Sequence, residues 1–242
     1  MSMLPKLDTP IYETELPISK KTFRFRPFLV KEQKILLMAN ESEDPDFLSG
    51  NLKQIIKNCS FSEDIDIDEL SSIDIEYIFI QLRARSIGEV VETTYRCKNK
   101  IDNEDCNNLM DVKINLLDIN LNNSSFNSDI KLAPNIGIVM KYPNFKTIES
   151  LTNDDKSTID KTFDAIYHCI DYIYDENNFY YSKELSKKDV IDFVESFNTD
   201  QFNKIEEFFT NLPKLEKDIE IICSKCGYSH TIHLEGLNNF LE

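Results

Sequence analysis

Apolar residues alternate with polar or basic ones along Thr22-Phe23-Arg24-Phe25-Arg26, and more loosely over residues 11–16. A period of two is that of a strand, so a hairpin is predicted, turning at Pro17 and Ser19 and ended by Pro27. The period then changes. Ile35, Leu36, Leu37 and Met38 stand among charges, with Val30 behind them on the same face, which predicts an amphipathic helix over 29–38. After an acidic loop at 41–46, punctuated by Pro45, the spacing of Leu48, Leu52, Ile55, Ile56 and Cys59 predicts a second helix. Residues 62–72 read as a loop plugged by Ile65 and Ile67. Asp74 suits the N-cap of a third helix carrying Tyr77, Ile78, Ile80, Leu82 and Ala84 to about Ser86, and Gly88 suits its left-handed end.

The β-branched run 89–95 predicts a strand that ends at Cys97, followed by a polar loop and a second strand over 110–117. The Asn/Ser-rich stretch 120–128 is expected to be mobile. Residues 130–132 and 136–142 read as a strand pair about Pro134-Asn135. Helices are predicted over 147–151 and over 156–174, the second on a stripe of Ile159, Phe163, Ile166, Tyr167, Ile170 and Ile173. Ser186 caps a helix over 187–196 with Asp189 at the box position. Thr199 opens another over 200–212, with Phe202, Ile205, Phe208 and Phe209 inward. Strands at 218–223 and 228–234 precede a tail whose Leu237, Phe240 and Leu241 are expected to dock on a partner. The pattern describes one α+β domain over 1–242, a helical body packed on short antiparallel sheets.

Composition narrows the function. The 242 residues are 41% hydrophobic, which supports a real core. Lys plus Arg number 27 against 43 Asp plus Glu, a formal charge of −16. Such a chain lacks a broad phosphate-neutralising surface, so no nucleic-acid or anionic-membrane partner is expected. The pairs Lys20-Lys21 and Lys187-Lys188 are too short to change that. No apolar run approaches the roughly 18 residues of a membrane helix. The first ten residues carry a proline and an aspartate where a signal peptide would be apolar, so a cytoplasmic setting is expected. The five glycines are too dispersed for a dinucleotide fingerprint or a P-loop, and the histidines (His168, His230, His233) fall in no hydrolase motif.

The cysteines carry the sharpest chemical signal. Cys59 and Cys169 lie in predicted helices and read as small buried hydrophobes. Cys223-Ser224-Lys225-Cys226-Gly227 sits at a hairpin tip, where both thiolates can face one ion and glycine lets backbone amides turn toward sulfur. Cys97 and Cys106 are the natural other half, although eight intervening residues make a wide knuckle. Both pairs share the order strand, Cys, loop, Cys, strand. A zinc-ribbon-like module from about 89–117 and 218–234 is therefore expected, with Cys97, Cys106, Cys223 and Cys226 holding a structural Zn²⁺. The alternatives are a vestigial pair and a surface dithiol; a redox motif would instead open a helix after a strand. His230 and His233, three apart on a strand, face opposite sides, so at most one could replace a cysteine.

Other groups read more plainly. The acidic runs at 41–46 and 64–69 lack the spacing of a calcium loop and read as solvated. Arg83 and Arg85 suit a helix C-terminus and pairing with carboxylates. Tyr172, Tyr174, Phe179, Tyr180 and Tyr181 divide between core and interface patch.

Three stretches carry a family likeness: Phe25-Arg26-Pro27-Phe28-Leu29-Val30-Lys31-Glu32-Gln33-Lys34-Ile35-Leu36-Leu37-Met38-Ala39, Leu82-Arg83-Ala84-Arg85-Ser86-Ile87-Gly88-Glu89, and Gly137-Ile138-Val139-Met140-Lys141-Tyr142-Pro143. They resemble the baseplate hub and hub assembly proteins of T-even-like myoviruses, from about Pro5 to the tail. The paired cysteines look like those of its marine-phage members, with a wider first pair. The resemblance implies a non-enzymatic role in building the tail baseplate in the cytoplasm of an infected bacterium. The implied partners are other hub proteins and the tape-measure protein, and the family supplies no catalytic residues. Three readings follow: an assembly factor, a permanent baseplate subunit, or, from a different class, a thiol- or zinc-dependent enzyme.

Overall fold

The computed structural model describes residues 7–41, 45–122, 126–152 and 156–236. The N-terminal alternation forms β1 (Tyr12–Glu15) and β2 (Thr22–Phe25), antiparallel, with Tyr12 opposite Phe25 and Glu15 opposite Thr22. Phe23 and Phe25 are buried, whereas Arg24 faces outward and pairs with Glu13 at 2.9 Å. Helices α1 (Val30–Glu41) and α2 (Pro45–Cys59) follow. Only Ile35 and Leu36 of the apolar run on α1 pack against the core; Val30, Leu37 and Met38 are exposed. The inward position of the first turn belongs instead to Glu32, fully buried against Arg26. Ile65 and Ile67 plug the core as expected. Asp66 caps a short 3₁₀ turn there, and Asp68 pairs with Lys53 at 2.7 Å. Residues 42–44 of the acidic loop lie outside the described residues.

Helix α3 (Ser72–Ser86) is capped by Ser71, whose hydroxyl accepts from the Asp74 amide. Asp74 is thus one turn inside the helix rather than its cap. Its buried carboxylate accepts from the Ile18 and Ser19 amides at 2.8 and 3.0 Å, clamping the β1–β2 turn to α3. Asp74→Ala would strand both donors. It should cost about 1–3 kcal/mol for each that stays dry, read as a lower denaturation midpoint. At the other end of α3, Arg83 donates to the Gly88 carbonyl. Arg85 lies over the Tyr12 ring at 5.2 Å, so aromatic rather than carboxylate pairing holds it.

Next come β3 (Val90–Arg96), β4 (Lys100–Ile101), β5 (Glu104–Asp105) and β6 (Leu109–Asn115). β3 pairs with β6 from Val90–Asn115 to Arg96–Leu109, and β4 with β5 nests between them. β7 (Asn120–Leu121) begins the Asn/Ser-rich stretch. β8 (Asp129–Ala133) and β9 (Ile136–Met140) form the expected pair. After α4 (Phe145–Thr152), the long predicted helix divides into α5 (Thr158–Cys169) and β10 (Ile170–Tyr174). Ile170 and Ile173 satisfy a helical stripe, but Ile-Asp-Tyr-Ile-Tyr also has the β-branched and aromatic content of a strand. Pairing on both sides, with β9 and with β11 (Phe179–Tyr181), decides for the sheet. Ile159, at the other end of the stripe, is exposed.

Ser186 caps α6 (Lys187–Glu195) as expected. α7 (Thr199–Thr210) is capped by Asn198 rather than Thr199, in a capping box with Gln201. β12 (Leu215–Ile222) and β13 (Ser229–Glu235) run antiparallel, and β12 also pairs with β7. The molecule is α+β, with mixed helices and small antiparallel sheets. The tail residues Leu237, Phe240 and Leu241 lie outside the described residues.

Among the described residues, three large apolar clusters hold these elements. The first joins Phe23 and Phe25 to Ile55, Ile78, Leu82 and Phe145. The second packs Ile73 and Ile80 against Val91, Val112, Ile114, Leu215 and Leu234. The third covers Ile130, Ile138 and Ile173 with Ile166, Val194 and Ile205. Beside the second, Glu76 of α3 and Glu235 line a cavity of about 210 Å³ with Phe209, Leu212 and Leu215. Burial, and then the Glu235 charge, push the Glu76 carboxyl up to about 7. A raised acid favours the fold at low pH, and that contribution is lost as pH rises through the folded value. Glu76→Gln should therefore raise the melting temperature at pH 8 and change it little at pH 4.

Candidate metal centre

Cys97 follows the last residue of β3, and Cys106 the last residue of β5. The wide spacing between them is resolved by the nested hairpin: its turn residues Asp102 and Asn103 take φ of +51° and +69°, leaving both cysteines at its base. The Cys97 amide donates to the Asn108 carbonyl and the Cys106 amide to the Asn99 carbonyl, each at 2.8 Å. The second pair is a tight turn between β12 and β13. Gly227 donates to the Cys223 carbonyl at 2.8 Å and Cys223 to the Tyr228 carbonyl at 2.9 Å. Gly227 sits at φ +70°, which a side chain would strain.

Packing of the two hairpins in the second cluster brings all four sulfurs within 4.8 Å of one another. Cys97 Sγ lies 3.7 Å from Cys226 Sγ, and Cys106 Sγ 3.8 Å from Cys223 Sγ. A tetrahedral ion with Zn–S bonds of about 2.3 Å holds its sulfurs about 3.8 Å apart. The cysteines are free thiols; three are buried and Cys226 is half-buried. These four could hold a metal ion. Cys59 and Cys169 are buried apart from them, and burial pushes each up to about 11, so both stay protonated as small core residues.

Nitrogen donors surround the sulfurs. Burial alone raises the Cys223 thiol, but the Cys226 and Lys225 amides outweigh it and bring it down to about 6. The Tyr228 amide and the Asn99 side chain lower Cys226. Burial drives Cys97 the other way, to about 12. Binding a cation here would release protons, because the thiolate and not the thiol is the ligand. The side-chain amides of Asn99 and Asn108 reach Cys226 and Cys223 at 3.5 Å each. Sequence reading missed these two asparagines, although each stands two residues after a cysteine, at the same spacing in both arms. His230 is buried with Nε2 3.1 Å from Cys97 Sγ, while His233 faces outward to Asp218 at 2.7 Å. The pleat separates them as the spacing requires.

The sequence model of a family described as T4 bacteriophage base plate protein matches residues 9–242. The chain belongs to this family. The chain is also 24% identical over 235 residues to the baseplate hub assembly protein gp26 of Enterobacteria phage T4, covering 96% of this chain and 98% of that relative. No solved structure matches it significantly. Among its described residues, no helix is long and apolar enough to cross a membrane.

Proposed function

We propose that this protein assists assembly of the phage tail baseplate hub through protein–protein contacts, without catalysis, in the host bacterial cytoplasm. The observation that carries this is the full-length correspondence with a hub assembly protein, 98% of which is covered. Its partners are other hub proteins, with the tape-measure protein the further one to test. Residues 1–242 act as one α+β domain, and 89–117 with 218–234 form a zinc-ribbon-like module. Cys97, Cys106, Cys223 and Cys226 hold a structural Zn²⁺, for which the sulfur spacing is the support. Four protein ligands leave no open position for water or substrate, which speaks against a zinc enzyme.

A contact role also has support in the four-stranded sheet of β8–β11. Helices cover one face; the other carries Tyr172, Tyr174, Phe179 and Tyr181 where an open sheet is ordinarily polar. Phe179 and Tyr181 are exposed, and aromatics of this kind anchor interfaces. If they are hot spots, Phe179→Ser with Tyr181→Ser should weaken capture of hub proteins by about thirtyfold or more with the fold intact. Unchanged capture would remove this face from the contact.

The alternative is a permanent baseplate subunit. Quantitative mass spectrometry of mature virions beside infected-cell lysate separates the two. Abundance in lysate with absence from virions supports the assembly factor; stoichiometric presence in the particle makes it a subunit.

A further inference from the structure

We infer that His230 is a positioning residue for the metal: an outer hydrogen-bond donor that holds the Cys97 thiolate in place and offsets its charge, without being a ligand itself. The inference rests on the four-thiolate reading above and assigns a fifth side chain to that centre.

The argument begins with placement. His230 lies opposite Ile221 on the inward pleat of the β12–β13 hairpin, and is 8% exposed. A buried imidazole with no partner is costly, so its neighbours matter. Nε2 meets Cys97 Sγ at 3.1 Å, across from a different hairpin and 133 residues away in sequence. A thiolate has no proton to give, so in the metal-bound centre Nε2 must carry the hydrogen and donate it. The ring is set by Tyr95 on one arm and Tyr228 on the other, with centroids 5.4 and 4.8 Å away. Tyr95 belongs to the strand that leads into Cys97, so one continuous segment carries both the acceptor and one of the two side chains that set the ring. Coordination by His230 is disfavoured because the four sulfurs already lie mutually close, with Cys97 among them.

The physical consequence follows from charge. Four thiolates around a divalent cation leave an excess of two negative charges in a largely buried site. The Asn99 and Asn108 side chains serve Cys226 and Cys223. His230 does the same for Cys97, from 3.1 Å. Outer partners of this kind typically change metal affinity by about 10–100-fold.

Two substitutions separate hydrogen bonding from packing. His230→Phe keeps a ring between the tyrosines and loses the N–H; His230→Gln keeps an N–H and loses the ring. Full-length wild type and both variants, loaded with cobalt, would be compared by absorption spectrum and by competition with a chromogenic chelator. Circular dichroism of the loaded proteins would check the fold. The expected result is one cobalt per chain with a four-thiolate spectrum throughout, affinity lowered about 10–100-fold in Phe, and most of it retained in Gln. Tight binding by Phe with weak binding by Gln would make His230 a packing residue, and loss in both, or in neither, also overturns the donor role. A spectrum with a nitrogen ligand in wild type would make it a ligand instead. Absence of cobalt binding by wild type would overturn the four-thiolate reading itself, and this inference with it.

Discussion

Removing the zinc proposed for the four cysteines should open the two cysteine hairpins and leave the rest of the molecule folded. Structural zinc binding is worth about 10–16 kcal/mol in small zinc-finger peptides, where nothing else holds the chain. Here β3–β6 and β12–β13 also share Val91, Val112, Ile114, Leu215 and Leu234, so part of their stability survives without the ion. The cluster around Phe23, Ile55 and Phe145 contains none of the four clustered cysteines. Chelation, or Cys223→Ser, should therefore abolish amide-exchange protection near the cysteine turns first and lower the first thermal transition. Protection over β1, β2 and α2 should persist. Elemental analysis of protein purified without chelator should give one zinc per chain; none would remove the metal reading.

Arg26→Ala should cost about 3–5 kcal/mol, because it leaves the buried Glu32 charge with only the exposed Lys31, at 3.3 Å, as a cation. Arg26 donates to both oxygens of Glu32, at 3.3 and 3.0 Å, and to the carbonyls of Pro27 and Asn58 at 2.9 and 2.8 Å. Glu32 also accepts from the Leu29 amide at 2.9 Å and is fully buried, so the pair ties β2, α1 and the end of α2 together. At this chain length the loss amounts to a fall in melting temperature on the order of 10 °C. Arg26→Met with Glu32→Leu should recover most of it, since both charges then leave the interior. A single substitution as harmless as the double one would show the site to be wet. The pair also predicts acid sensitivity. Burial alone would raise the Glu32 carboxyl, but hydrogen bonds from Arg26 and Leu29 hold it below its ordinary value. Its contribution is complete above the ordinary glutamate range and is lost as pH falls through the lowered value.

Much of this was legible in the linear pattern. Phe23 and Phe25 announce their strand because a half-buried hairpin requires a period of two, and Ser186 with Asp189 announces a helix start because the first amides need an acceptor. Both are local requirements, satisfied within a few residues. Ile170 to Tyr174 failed the same treatment. Its apolar spacing suits a helix and a strand alike, and the choice rests on β9 and β11, thirty residues upstream and five downstream. Asp74 has the composition of a cap, but Ser71 reached the amide first and left the carboxylate free to grip the turn at Ser19.

The candidate centre divides along the same line. The sequence by itself determined the candidate donors: two cysteine pairs, each flanked by strand-forming residues. Only the tertiary structure decided that pairs more than a hundred residues apart face each other, that the eight-residue spacer folds away as its own hairpin, and that His230 points at Cys97 while His233 does not. Backbone periodicity fixes which side of a strand a residue occupies. Which strand lies across from it is set by the burial of Val91, Ile114, Leu215 and Leu234 in one cluster, a collective gain that no local pattern encodes.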